Sequence, residues 1–325
     1  MPLAVRIHAH GGPEQLRCDR VPLPEPGPGE VLLRHVAIGA NFIDTYHRSG
    51  LYALPSLPHA LGVEAVGVVE ALGRGVDGFR PGDRAAYAGG APGAYAEYRS
   101  LAAERLVPLP DHLDDVTAAA VLLRGMTAEY LVQRCVKIEP AMPVLVHAAA
   151  GGVGLMLCQW LARLGAEVIG TISSDEKGRL AQRHGCAHPI VYTREDFVAR
   201  VRELTHGLGV PIVFDSVGKT TTHGSLACLT RRGTLVSFGN ASGKPDPIDL
   251  LDLSHRGSLY VTRPTLHDYT ASRAERMASA QAVFAGVQAG WLRPHIGTVL
   301  PLTEAAAAHR ALESRETAGS TVLLA

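Results

Sequence analysis

The sequence predicts an α/β protein in which an open, doubly wound parallel sheet is joined to a β-rich domain. Three observations predict it. Strand-like and helix-like segments alternate through the middle of the chain. The first third reads as short strands between Gly/Pro turns, and residues 144–154 join a strand to a helix through glycines. At 325 residues the chain suits about two such domains.

In the first third, residues 6–8, 30–38, 65–72 and 84–88 alternate or carry β-branched residues, and turn clusters at 24–29, 73–78 and 81–83 bound them. That rhythm predicts a barrel or sandwich. Alanine-rich helical composition begins near 115–120. Strands at 144–147, 167–172, 189–192, 212–216, 233–238 and 258–261 then alternate with helices at 155–164, 176–184, 195–205 and 221–229. Repeated units of this length imply a parallel sheet with helices on both faces. A long helix at 272–289 follows Pro264, and the tail returns to strand and helix before a last strand at 320–324. A terminal strand needs a sheet to join. It is expected on the β-rich domain, which makes that domain discontinuous: 1–124 with 265–325, around a nucleotide domain at 125–264.

Hydrophobic residues at 46% and charged residues at 19% are ordinary for a globular chain. Lys+Arg and Asp+Glu are 31 each, so no net field draws the chain to nucleic acid or an anionic membrane. No stretch approaches the roughly 18 apolar residues of a spanning helix, and residues 1–7 lead straight into strand-like alternation. A soluble, cytoplasmic protein is expected. The cysteines at 18, 135, 158, 186 and 228 form no C-x-x-C and read as small buried hydrophobes.

The chemistry concentrates in Val144-Leu-Val-His-Ala-Ala-Ala-Gly-Gly-Val-Gly154. A buried strand that stops at glycines and restarts as a helix aims N–H groups and the positive helix end at one spot, which suits a pyrophosphate. Ala149 stands at the first glycine position of G-x-G-x-x-G, with Gly151 and Gly154 as second and third. A glycine cluster alone is often only a turn; the flanking strand and helix supply the context. The next strand ends in Ile172-Ser173-Ser174 without an acid at its tip. Asp175, about 20 residues past the turn, keeps NAD open. Lys177 beside serine hydroxyls suits a 2′-phosphate better, although it equally reads as a solvated helix lysine. The loops at 215–218 and 238–240 would wall the nicotinamide side, or are plain turn chemistry.

The blocks 10–14, 40–46, 48–52, 93–98, 215–218, 236–240 and 257–264, with the Ala-Ala-Ala-Gly-Gly-Val-Gly turn, run in order along the whole chain. Together they resemble the zinc-independent quinone oxidoreductases of the zeta-crystallin type, in the medium-chain dehydrogenase/reductase superfamily. The resemblance implies a Rossmann-type cofactor domain beside a discontinuous GroES-like β-barrel domain. Zinc-dependent members place a cysteine ligand where this chain has Asn41, and a histidine where it has Val63 in Gly62-Val63-Glu64. Valine offers zinc nothing, and the four cysteines of the structural zinc lobe are missing around 88–93. No metal is expected.

The resemblance implies NADPH as cofactor and a quinone or activated enone as substrate. Ala150, Gly151, Gly152, Val153 and Gly154 would hold the pyrophosphate, and Ser173, Lys177 and Tyr192 the 2′-phosphate, with Arg315 reaching in from the C-terminal segment. Thr127, Ser216, Phe238, Gly239 and Asn240 would line the nicotinamide pocket. Asn41 would contact the nicotinamide side of the reaction site, and Arg263 would help to shape the substrate pocket. Tyr46 or Tyr52 could donate to a developing quinol or enolate oxygen, oriented by Asp44, or could simply be packed with its hydroxyl satisfied. The strand near 258–261 would pair with its twin in a homodimer. Two other functions stand beside this one: a non-catalytic NADPH-binding protein, crystallin-like or RNA-associated, and a zinc alcohol dehydrogenase. The neutral charge and absent basic–aromatic pattern give RNA no support.

Overall fold

The computed structural model describes residues 1–315 and 317–325. They divide into two units: Met1–Met126 with Tyr269–Gln288 and Pro294–Ala325, and Thr127–Asp268 with Ala289–Arg293. The chain opens with β1 (Leu3–Ile7), β2 (Leu16–Arg20), β3 (Glu30–Ala40), α1 (Phe42–Ser49), β4 (His59–Ala60), β5 (Glu64–Leu72), β6 (Arg84–Ala88), β7 (Tyr98–Ala102), β8 (Val107–Pro108) and α2 (Asp115–Tyr130). Alternation follows: β9 (Pro143–Val146), α3 (Gly152–Arg163), β10 (Glu167–Ile172), α4 (Asp175–Arg183), β11 (His188–Val191), α5 (Phe197–Leu204), β12 (Val210–Asp215), α6 (Thr222–Cys228) and β13 (Leu229–Ser237). Next are α7 (Leu250–His255), β14 (Tyr260–Thr262), α8 (Leu266–Tyr269), α9 (Arg273–Gln288), β15 (Ile296–Pro301), α10 (Ala305–Glu313) and β16 (Ser320–Leu324).

In the second unit six strands run in the order β11-β10-β9-β12-β13-β14, and every pairing is parallel. Helices cover such a sheet on both faces, so its central strands have no polar face. Val144, Leu145, Val146, Val213 and Phe214 are accordingly all fully buried. The strand order reverses beside β9, which makes its carboxyl end the place where ligands bind in open α/β sheets.

The first unit holds a seven-stranded sheet, β15-β16-β3-β5-β6-β8 with β7 also on β3, and a small sheet, β2-β1-β4. β16 lies antiparallel to β3 with Leu323 opposite Ile38, so the C-terminal strand does return to the β-rich domain. Val31, Leu33, Ile38, Leu61, Tyr87 and Leu323 form part of its core.

Several elements lie outside the sequence expectation, β2, β7, α1 and α7 among them. β2 carries Arg17, Asp19 and Arg20 and pairs on one side only, so a charged edge strand shows no clean alternation. β7 lies outside the predicted strands; it pairs with β3 and buries little besides Leu101. α1, Phe-Ile-Asp-Thr-Tyr-His-Arg-Ser, has poor helical propensity, and its ends fix it: Asn41 N donates to Asp44 Oδ2 at 2.8 Å, and Gly50 closes it at φ 84°. α7 is only six residues, started by Asp249, whose carboxylate accepts Leu251 N at 2.9 Å. Among the described residues, no helix is long and apolar enough to cross a membrane.

Candidate cofactor and active site

The turn from β9 to α3 is folded by its own backbone. Ala149 N donates to Thr171 O of β10 (3.0 Å), Gly151 N to Ala148 O (2.9 Å) and Leu155 N to Gly151 O (2.9 Å). A Cβ on Gly154 would stand 2.2 Å from Ala148 O, so only glycine lets α3 start this close to the strand. Ala149, in place of a glycine, is accommodated from β10: a Cβ on Gly170 would lie 2.6 Å from the Ala149 methyl. Ala150 is buried, and Gly151, Gly152 and Val153 are half-buried at the mouth. Among the described residues no side chain caps α3. The N–H groups of its first turn are left for an anion, and the turn fits a pyrophosphate.

At the ends of β10 and β11 the structure gathers Ser173, Lys177 and Tyr192. Ser174 caps α4 through Lys177 N (3.4 Å), Thr193 Oγ1 donates to Ser173 O (3.2 Å), and Tyr192 N to Ile172 O (3.1 Å). Asp175 is paired with Arg194 by two hydrogen bonds, one of 2.8 Å, and these hold its carboxyl below the usual range. An acid already neutralised by a guanidinium neither repels a 2′-phosphate strongly nor offers a free acceptor to a ribose.

The loops after β12 and β13 lie together. Phe238 N donates to Asp215 O (2.8 Å), and a Cβ on Gly239 would meet Ser216 O at 2.4 Å. Arg263 donates to Gly239 O (3.1 Å), and Gly243 N to Asn240 O (2.9 Å). Ser216, Phe238, Gly239, Asn240 and Arg263 therefore form one group. Thr127 is buried on α2, in the second unit; Arg315 is exposed on the turn after α10, in the first.

The first unit brings together Asn41, Asp44, Tyr46 and Tyr52 around α1. The Tyr46 and Tyr52 rings meet edge to face with centroids 5.3 Å apart. Asn41 Nδ2 donates to Gly39 O and to Glu64 Oε2, each at 3.0 Å, which fixes which end of the amide is the donor. Asp44 turns away from the role expected for it. Its Oδ2 accepts from Tyr95 OH (3.0 Å) rather than from Tyr46 or Tyr52, and its Oδ1 is buried without a partner. Burial pushes its carboxyl up to about 7.

Sequence reasoning missed the residues behind this group. Tyr95 OH is 3.0 Å from His309 Nε2, and His309 Nδ1 is 3.1 Å from Arg48 Nη1, which also donates to Glu313 at 3.0 Å. Burial pulls His309 down to about 3, so the ring is neutral. A guanidinium only donates, so Nδ1 accepts and the ring proton on Nε2 goes to Tyr95. Glu64 is fully buried in β5; its Oε1 accepts from Leu123 N (2.6 Å), and Arg124 Nη1 lies 3.6 Å from its Oε2. Burial pushes the Glu64 carboxyl up, yet both oxygens only accept hydrogen bonds, which suits the ionised form beside Arg124. A charged residue at the start of the apolar strand β5 was the visible signal. Among the described residues no group of three or more His, Cys, Asp or Glu could hold a metal ion, and the Val63 side chain offers a cation no ligand atom. These residues do not fit zinc.

Residues 27–111 match the family model of the alcohol dehydrogenase GroES-like domain, and residues 152–278 that of the zinc-binding dehydrogenases. The chain is 51% identical to a quinone oxidoreductase of Pseudomonas aeruginosa over 98% of each chain. It is 45% identical to a 2-haloacrylate reductase of Burkholderia sp over 100% of this chain and 99% of the other. Escherichia coli quinone oxidoreductase, solved in complex with NADPH, matches with a TM-score of 0.97 at 43% identity, over 99% of this chain and 100% of that one. The chain is an oxidoreductase of the medium-chain dehydrogenase/reductase superfamily. Within it, the chain belongs to the zinc-independent quinone oxidoreductase family.

Proposed function

We propose that this chain reduces quinones or activated enones with NADPH, without zinc, as a cytoplasmic homodimer. The observation that carries the reading is the uncapped glycine turn beside Ser173, Lys177 and Tyr192, with Asp175 already paired to Arg194. The relative solved with NADPH supports it. When bound, NADPH supplies a hydride.

The chain's own work is to hold and orient. The backbone at Ala150, Gly151, Gly152, Val153 and Gly154 receives the pyrophosphate, and Ser173, Lys177 and Tyr192, with Arg315, receive the 2′-phosphate. Thr127, Ser216, Phe238, Gly239 and Asn240 bound the nicotinamide. Asn41, with its amide clamped by Glu64, faces the reacting centre, and Arg263 shapes the substrate pocket. Tyr46 or Tyr52 donates a hydrogen bond to the substrate oxygen as charge develops there. With valine and asparagine at the zinc positions, no Lewis acid polarises an alcohol, so the substrate must itself be electron-poor. Kinship to a 2-haloacrylate reductase keeps activated alkenes within that class. β14 lies at the edge of its sheet with Tyr260 61% and Val261 37% exposed, which supports pairing with a second copy.

Anaerobic NADPH oxidation in the presence of 1,4-benzoquinone, a naphthoquinone or an enone is the test, and turnover is expected. NADPH binding with no turnover of any activated acceptor would replace the proposal with a non-catalytic NADPH-binding protein. Activity that requires bound zinc would replace it with an alcohol dehydrogenase.

A further inference from the structure

We propose that His147 is a positioning residue that ties the glycine turn at 148–154 to the loop at 215–218, so that both present their backbone to the dinucleotide as one piece. The inference rests on the cofactor reading above. His147 follows β9 directly and is 1% exposed. Its Nδ1 lies 3.0 Å from Thr171 Oγ1 of β10, and its Nε2 3.0 Å from Ser225 Oγ of α6. Its ring stands edge to face on Phe197 at 5.0 Å.

The direction of each bond follows from counting protons. Ser225 Oγ donates its single proton to Asp215 Oδ2 at 2.8 Å. It can only accept from His147, so the ring proton is on Nε2. Burial favours the neutral ring, which leaves Nδ1 as an acceptor for the Thr171 hydroxyl. Thr171 Oγ1 in turn accepts from Ala148 N at 3.3 Å, the residue whose φ of 52° starts the glycine turn. At the far end Asp215 Oδ1 accepts from Val217 N (2.8 Å) and Gly218 N (3.0 Å). One polarised chain thus runs from Ala148 N through Thr171, His147 and Ser225 to Asp215 and the next loop. Ser225 sits fully buried between acid and imidazole, and its hydroxyl donates to the acid rather than to the imidazole, so this trio is not a hydrolytic triad.

The test compares wild type with His147→Leu, His147→Gln, Thr171→Val and Ser225→Ala. Dissociation constants are measured for NADPH and for adenosine 2′-monophosphate, which occupies the 2′-phosphate end but has no pyrophosphate. His147→Leu is expected to weaken NADPH about tenfold and to leave adenosine 2′-monophosphate within about twofold. His147→Gln, which keeps a donor toward Ser225, should recover much of the loss. Thr171→Val and Ser225→Ala should each weaken NADPH selectively, and they decide the matter should His147→Leu fail to fold. Unchanged NADPH affinity in these variants, or equal weakening of both ligands, would overturn the inference while leaving the cofactor reading intact. A wild-type protein that binds neither ligand would overturn both.

Discussion

The two units build their candidate sites from different materials. In the second, the candidate cofactor edge is backbone and small side chains: Gly151, Gly154 and Gly239, with Gly170 making room for Ala149. In the first, the polar interior is ionisable: Asp44, Glu64, Arg124, Tyr95, His309 and Arg48 lie at 4% exposure or less. The first kind of site is sensitive to added volume, because a new Cβ there meets backbone. The second tolerates a change of shape better than a change of charge. Substitutions can therefore break each region by the lever that leaves the other alone.

The largest effect is expected from Arg124→Met, which leaves Glu64 buried without its cation and should cost about 3–5 kcal/mol by urea unfolding. Adding Glu64→Gln should recover a substantial part, and a double-mutant cycle that shows no coupling would remove the ion pair from the account. Gly154→Ala comes next. Its Cβ meets backbone at Ala148 O, so a loss of about 1–3 kcal/mol with weakened NADPH binding is expected, and wild-type binding would contradict the cradle.

Asp44→Asn tests the charged region by pH. The carboxyl rises from 3.8 to about 7 on folding, so the native state holds its proton more tightly than the unfolded chain does. Its contribution is full below about pH 4 and is lost as pH rises through 7. The decline should approach about 1.4 kcal/mol per pH unit within that window, and Asp44→Asn should remove it from the stability profile. An unaltered profile would mean that Asp44 is ionised in the fold. Asp175→Asn should do least. Its partner Arg194 is on the surface, so the unfolding midpoint should not move, while release of the guanidinium should raise the NADPH-to-NADH affinity ratio about threefold.

The same contrast explains what could be read from the sequence. The glycine turn was legible because strand, glycines and helix start lie within 144–154, and a phosphate cradle is made of neighbouring peptide groups. The strands at 84–88, 167–172 and 320–324 were legible for a similar reason: a buried strand writes its pattern into consecutive residues. Glu64 with Arg124, and Tyr95 with His309, could not be read as partners, because each pair is far apart in sequence and meets only once the chain has folded. Asp44 was singled out, yet its hydroxyl partner proved to be Tyr95 rather than the nearby Tyr46 or Tyr52. The pairing of Asp175 with Arg194 was equally invisible, and it bears on the choice between NAD and NADP that spacing had left open.

That choice is the centre of the account, and the ratio of NADPH to NADH affinity in wild type and in Lys177→Ala tests it most directly. A strong preference for NADPH that collapses in the variant, with NADH affinity little changed, is expected. Equal affinities in the wild-type protein, or a preference that survives the loss of Lys177, would contradict it.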